Sequence, residues 1–144
     1  MSEKLCVVCG GWFDSTSSRL TCDDECRAAH LKNRQTSIAA RFVSLQRVLR
    51  DEKIFWRDDR LIHSENFYAA LIESGCTYCG VSLLGFSGVC LDRLDNRGKH
   101  NSWNVTPCCP TDNRIRSDEF SFEEMAQEIG PAIARVRARR ANNK

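Results

Sequence analysis

Histidine and proline are both scarce, at three residues each in 144. Few side chains are therefore available to act as a general base near neutral pH. No long apolar run occurs, and the chain opens on the polar Met1-Ser2-Glu3-Lys4, so neither a signal peptide nor a membrane span is expected. Without a secretory context, the chain is expected in the cytoplasm, where thiols stay reduced. The sequon Asn104-Val105-Thr106 is then a chance match. Cysteine, by contrast, is plentiful. Nine cysteines in a reducing compartment point to metal binding, and an odd number fits poorly with complete disulfide pairing. A chain of this size builds one ordinary domain or two very small ones, with a thin core that needs staples.

The net charge of +2 conceals segregation along the chain. Residues 1–26 sum to −3, residues 27–60 to +5, residues 61–130 to −5 and residues 131–144 to +5. Two basic segments thus flank an acidic region. Such a layout suits gripping a phosphate backbone while carboxylates are kept for a cation. Solvated helix faces and a charged tail would give the same pattern.

The first cysteine unit runs from Cys6-Val7-Val8-Cys9-Gly10 to Cys22-Asp23-Asp24-Glu25-Cys26. Two residues between thiolates let both face one ion from a tight turn, and Gly10 stands where the backbone must reverse. Four thiolates suit tetrahedral zinc in a closed structural site with no open position for substrate. Trp12 and Phe13 are expected over this knuckle, and a helix is expected through Arg27-Ala28-Ala29. The unit resembles a treble-clef zinc finger.

No glycine or proline falls between Ala28 and Glu52, so a helix can run through this stretch. Ile38, Phe42, Leu45 and Leu49 recur at helical spacing and predict one apolar stripe. Arg47 and Arg50 fall opposite it, and Arg34 and Arg41 flank it, so all four are candidates for phosphate contact. A second helix is expected after Ser64, which can cap it, and Gly75 can end it before Cys76. His63 precedes that helix and could be a ligand or base, but a structural or exposed role is expected; His30 is expected to be an exposed helix residue.

Residues 87–94 predict a strand, with Val89 and Leu91 on one face and Asp92 on the other. Asp95-Asn96-Arg97-Gly98 predicts a turn. A short second strand is expected near Asn104-Val105, and a helix beginning near Asn113. Cys76-Thr77-Tyr78-Cys79-Gly80 lies upstream, and Cys108-Cys109-Pro110-Thr111-Asp112 leads into the helix. Farther on, Ser121-Phe122-Glu123-Glu124 reads as a capping box. Gly130-Pro131 is expected to interrupt the helix it starts. A further basic helix or tail follows with Arg135, Arg137, Arg139 and Arg140.

In order and spacing, the stretch from about residue 74 to 129 resembles the HNH nucleases of the ββα-metal class, most closely the phage type with an LDR-x-DN motif. The resemblance implies an α+β fold: a small zinc-stabilised ββα-metal core with flanking helices. It also implies that Asp92 on the first strand and Asn113 on the helix hold Mg²⁺ or Mn²⁺, and that Asn104 orients a general base. Two positions depart from the pattern. Arg93 stands where the family has its histidine base, and arginine stays protonated. Arg93 could clamp phosphate instead, and His100 is the nearest histidine that could serve as base. The second departure is in the zinc knuckle, where Asp112 replaces a cysteine. The expected set is Cys76, Cys79, Cys109 and Asp112, with Cys108 as the substitute; Cys90 is expected to be a small buried residue.

The sequence therefore leads to four segments: a zinc finger (1–30), a basic helical connector (31–60), an HNH-like core (61–130) and a basic helix or tail (131–144). The expected function is metal-dependent DNA cleavage, with two structural zinc ions. A DNA-binding module that kept the zinc scaffold and lost catalysis is the rival, and a zinc-stapled protein-interaction module is a third reading.

Overall fold

A computed structural model describes residues 2–143. The chain begins with an antiparallel hairpin of β1 (Ser2–Leu5) and β2 (Trp12–Ser15), in register Ser2 to Ser15 and Leu5 to Trp12. Helix α1 (Asp24–Thr36) follows, capped by Asp23, whose carboxylate accepts the Cys26 N–H at 2.7 Å. Helix α2 (Ile38–Asp51) begins after Ser37. The region expected as one helix is therefore two. Ser37 takes an extended ψ of 143° and its hydroxyl accepts the Ala40 N–H, so a residue that competes with the helical backbone restarts the helix as its cap. Helix α3 (Glu65–Glu73) is capped by Ser64 and ends before Gly75 at φ +83°, both as expected.

Strand β3 (Leu91–Arg93) pairs antiparallel with β4 (Val105–Pro107), placing Asp92 opposite Thr106. β3 is much shorter than the expected strand over 87–94. Gly88 at φ +81° and Cys90 at φ +52° turn the backbone out of extended geometry just before it. Helix α4 (Pro110–Arg116) starts three residues earlier than expected, with Cys109 as its cap and Pro110 at its first position.

The capping box at Ser121 forms as expected and opens α5 (Phe122–Glu124). The helix then passes through a π-helical turn, Met125–Ile129, into α6 (Gly130–Asn142). Gly130-Pro131 does not interrupt it. The wider turn changes the hydrogen-bond register ahead of Pro131, whose missing N–H falls at the start of α6. Gly130 is needed for a second reason: a Cβ there would clash with the carbonyl oxygens of Tyr78 and Met125.

The core gathers Leu45 and Leu49 of α2, Tyr68 and Ile72 of α3, Ile62, Leu83 and Met125, all fully buried. The apolar stripe of α2 thus faces inward as its spacing dictates, with Ile38 and Phe42 packed at its edge. Each such buried side chain contributes about 1.5–3 kcal/mol. β3, β4 and α4 are held against this core by only a few apolar residues, Leu91, Val105, Cys108 and Cys109 among them. No helix among the described residues is long and apolar enough to cross a membrane.

Candidate metal centres and active site

Two groups of side chains converge with metal-ligand geometry. In the first, one ligand atom each from Cys6, Cys9, Cys22 and Cys26 lies within 4.8 Å of all the others. In the second, the same holds for Cys76, Cys79, Cys109 and Asp112. These are the two expected sets.

The two centres repeat one local design. Cys6 N–H donates to the Gly11 carbonyl at 2.9 Å and Gly10 N–H to the Cys6 carbonyl at 3.0 Å. Cys76 N–H likewise donates to Val81 at 2.9 Å, and Gly80 N–H to Cys76 at 2.8 Å. Gly10 and Gly80 have matching φ values of +70° and +72°, which only glycine adopts without cost. Each second pair sits at a helix N-terminus: Cys22 and Cys26 flank the cap of α1, while Cys109 caps α4 and Asp112 lies in its first turn. A helix N-terminus favours negative charge, so both sites stabilise thiolate or carboxylate.

In each cluster one thiol is pulled down and two are pushed up, by burial and by hydrogen bonds to neighbouring thiol or carboxylate groups. The Cys108 thiol beside Cys76 outweighs burial and brings the Cys76 thiol down to about 5. The Cys9 backbone N–H does the same for Cys6, at about 6. Asp23 pushes Cys22 up to about 11. The first thiolate in a cluster makes the next ionisation harder, and a cation reverses that cost, so metal uptake releases protons. Cys108 stays outside the second ligand set: its Sγ is turned to the Cys109 carbonyl at 3.3 Å. Asp112 is fully buried; Oδ2 faces Cys76 Sγ at 3.3 Å. Arg137 of α6 reaches the outside of this centre, with Nη1 2.7 Å from Cys79 Sγ and Nη2 3.0 Å from Asp112 Oδ1.

Asp92 is buried on β3 with three donors around it. Tyr78 Oη donates to Oδ2 at 2.7 Å, Arg116 Nη1 donates to the same oxygen at 2.8 Å, and the Arg93 N–H donates to Oδ1 at 2.8 Å. Arg116 is itself buried, and also donates to the carbonyls of Arg93, Leu94 and Phe120. Arg93 Nη1 is turned onto the Gly98 carbonyl at 3.0 Å.

Asn104 is buried and pins the turn: Oδ1 accepts the Asp95 N–H at 2.8 Å, and Nδ2 donates to the carbonyls of Asp95 and Lys99. His100 lies at the end of that turn. Its Nδ1 is 2.7 Å from Glu52 Oε1, and its backbone N–H donates to Glu52 Oε2 at 2.7 Å. Burial alone would raise the Glu52 carboxyl, but the His100 N–H, the imidazole and nearby Arg93 hold it below its ordinary value. Asn113 is exposed in the first turn of α4, shortly after the end of β4.

No protein-family model matches this sequence, and no curated protein matches it. Among solved structures, the rare-cutting HNH restriction endonuclease PacI is similar over 96% of this chain and 98% of its own, with a TM-score of 0.54 and 21% identity. The fold of this chain is thus similar to the fold of that endonuclease.

Several site expectations are corrected by the geometry. Arg41 cannot meet phosphate: it is 1% exposed, donating through Nε to the Gly88 carbonyl and through Nη1 to Leu83. Arg137 is committed to the second metal centre rather than to a free surface. Arg34, Arg47, Arg50 and Arg135 are exposed. Trp12 is 67% exposed and does not cover the first knuckle, because it sits on the outer side of a two-stranded hairpin. His63 is half-buried, with Nδ1 on Gln46 Oε1 at 3.3 Å. Sequence reasoning missed Tyr78, Arg116 and Glu52. Arg116 carried one available signal: it lies one helical turn beyond Asp112, on the inward face of the same helix.

Proposed function

We propose that the protein is a divalent-cation-dependent DNA endonuclease that hydrolyses phosphodiester bonds at the β3–β4–α4 unit. The observation carrying this reading is the strand–strand–helix arrangement itself, with Asp92 on β3, Asn104 entering β4 and Asn113 on α4. The HNH restriction endonuclease with the same fold gives DNA as the substrate class. The exposed arginines of α1 and α2 supply sequence-independent phosphate contacts.

In this reading Asp92 and Asn113 are the ligands of a weakly held Mg²⁺ or Mn²⁺. Asp92 Oδ2 already accepts two donors, but Oδ1 accepts only one, and the exposed Asn113 carboxamide supplies a second hard oxygen. Mg²⁺ keeps several waters and commonly adds substrate phosphate to one or two protein ligands. When bound, the ion would stabilise charge on the scissile phosphate and on the leaving oxygen. In our reading His100 takes the proton of the attacking water, with Glu52 fixing its Nδ1 side and Asn104 fixing its turn. The water oxygen bonds to phosphorus as one P–O ester bond breaks. Arg93, permanently charged, clamps the phosphate. The thiol-rich centres are assigned to zinc, which accepts sulfur and carboxylate ligands in a closed tetrahedral shell.

The test is plasmid cleavage by purified protein in Mg²⁺, Mn²⁺ or EDTA. Asn113→Ala, at an exposed position, should keep the zinc and DNA affinity and lose roughly a thousandfold or more in rate. A wild type that binds DNA but cuts it with neither ion would instead support a binding module. One observation favours that second reading: Arg116 and Tyr78 already satisfy much of Asp92.

A further inference from the structure

The second metal centre differs from the first in its fourth ligand and in what stands behind it. Thiolates fill all four positions of the first centre, whereas Asp112 fills one position of the second. A carboxylate is a less committed zinc ligand than a thiolate: it can rotate, chelate through both oxygens or leave. Here its freedom is removed. Asp112 is 0% exposed, Oδ2 points toward the sulfur cluster, and Oδ1 accepts Arg137 Nη2 at 3.0 Å. The same guanidinium places Nη1 on Cys79 Sγ at 2.7 Å, so one planar fork spans two ligands from opposite halves of the centre. Among the described residues, no arginine side chain donates a hydrogen bond to the first centre's ligands.

We propose that Arg137 is an outer clamp of the second centre that enables an aspartate to serve as its fourth ligand, and that the bound ion in turn locks α6 to the core. Charge supports this. Three thiolates and a carboxylate around a dication leave two surplus negative charges, and Arg137 offsets one of them. Residues hydrogen-bonded behind metal ligands orient them and are typically worth about 10–100-fold in metal affinity. The clamp sits on α6, where Gly130 already packs against the Tyr78 carbonyl inside the same knuckle. Knuckle, α4 and α6 therefore meet at one ion. The inference rests on a metal at the second centre and is independent of nuclease activity.

Chelator competition on the intact, zinc-loaded protein tests it. Arg137 is on the rim of the core, and Arg137→Gln should fold normally by circular dichroism. It should give up one ion at about 10–100-fold lower chelator concentration while the ion that Cys9→Ser abolishes is unaffected. Hydrogen exchange over residues 131–142 should rise in Arg137→Gln and when that ion is removed from wild type. Arg137→Lys keeps the charge but not the fork, and should fall between the two. In an Asp112→Cys background, Arg137→Gln should cost less, because a thiolate needs no orientation. Unchanged release by a folded Arg137→Gln, or an equal penalty in the Cys background, overturns the proposal. Wild type that carries no metal would instead sink the zinc assignment itself.

Discussion

Asp92 is built into a buried network that holds β3 to α4, and in the proposed function the same carboxylate would hold a cation. Its partner Arg116 is buried at the far end of α4, and the pair is 2.8 Å apart. Removing one member of a buried pair leaves the other charge uncompensated, which costs about 3–5 kcal/mol. Arg116→Ala should therefore lower the urea midpoint strongly, and Asp92→Ala should do the same, so its loss of cleavage would be ambiguous. Tyr78→Phe removes a single hydrogen bond to the carboxylate and should cost about 1.5–3 kcal/mol in the same measurement. Glu52 offers a pH signature. Its carboxyl is held below the ordinary 4.5 when folded, so its contribution is complete above 4.5 and fades as pH falls through the lower folded value. Glu52→Gln should thus reduce stability near neutrality and flatten the acid limb of the stability–pH curve; parallel curves for variant and wild type would contradict this. The ligand sets were legible in the sequence because each half is a local spacing, C-x2-C, C-x3-C or, for Cys109 and Asp112, C-x2-D, that needs no knowledge of the fold. Arg116 with Asp92, Glu52 with His100 and Arg137 with Asp112 were not legible. Those partners lie 24, 48 and 25 residues apart, and no local spacing names the partner of a buried arginine. Arg41 is the clearest case, since it flanks the apolar stripe of α2 and could face either way on spacing alone.

At the scale of elements, caps and glycines were read well and breaks were not. Ser64, Gly75 and the Ser121 box act through atoms within one turn, so sequence suffices to place them. Ser37 interrupts a run without glycine or proline because its hydroxyl caps the next helix, a choice that depends on where α2 must point. Gly130-Pro131 fails to interrupt because the π-helical turn ahead of it absorbs the defect. The close approach at Gly130 gives a direct test. Gly130→Ala puts a methyl group against the Tyr78 carbonyl, and overpacking of this kind costs about 1–3 kcal/mol despite alanine's better helix propensity. A thermal melt of the variant at or above the wild-type midpoint would show that α6 does not press on the knuckle.

For the molecule as a whole, the thin apolar core leads to the expectation that the two ligand clusters, once loaded with metal, stabilise much of the fold. Metal analysis should find two zinc ions per chain, and strong chelation should unfold it, since structural zinc supplies about 10 kcal/mol or more in small finger peptides. DNA affinity should fall steeply with salt. Replacing Arg47 and Arg50 together should weaken different sequences about equally and reduce the log–log salt slope by about one unit per lost contact. Arg41→Ala, by contrast, should unfold before it alters that slope. The spacing of the ligand pairs has a kinetic consequence as well. Cys9 and Cys22 enclose 12 residues, whereas Cys79 and Cys109 enclose 29, including the whole β3–β4 hairpin. Closing the longer loop is entropically harder and waits on strand pairing. Refolding from the reduced, metal-free chain should therefore capture its ions in sequence, the amino-terminal one first. The second capture sets the pace, with a rate that rises with free zinc until hairpin formation becomes limiting.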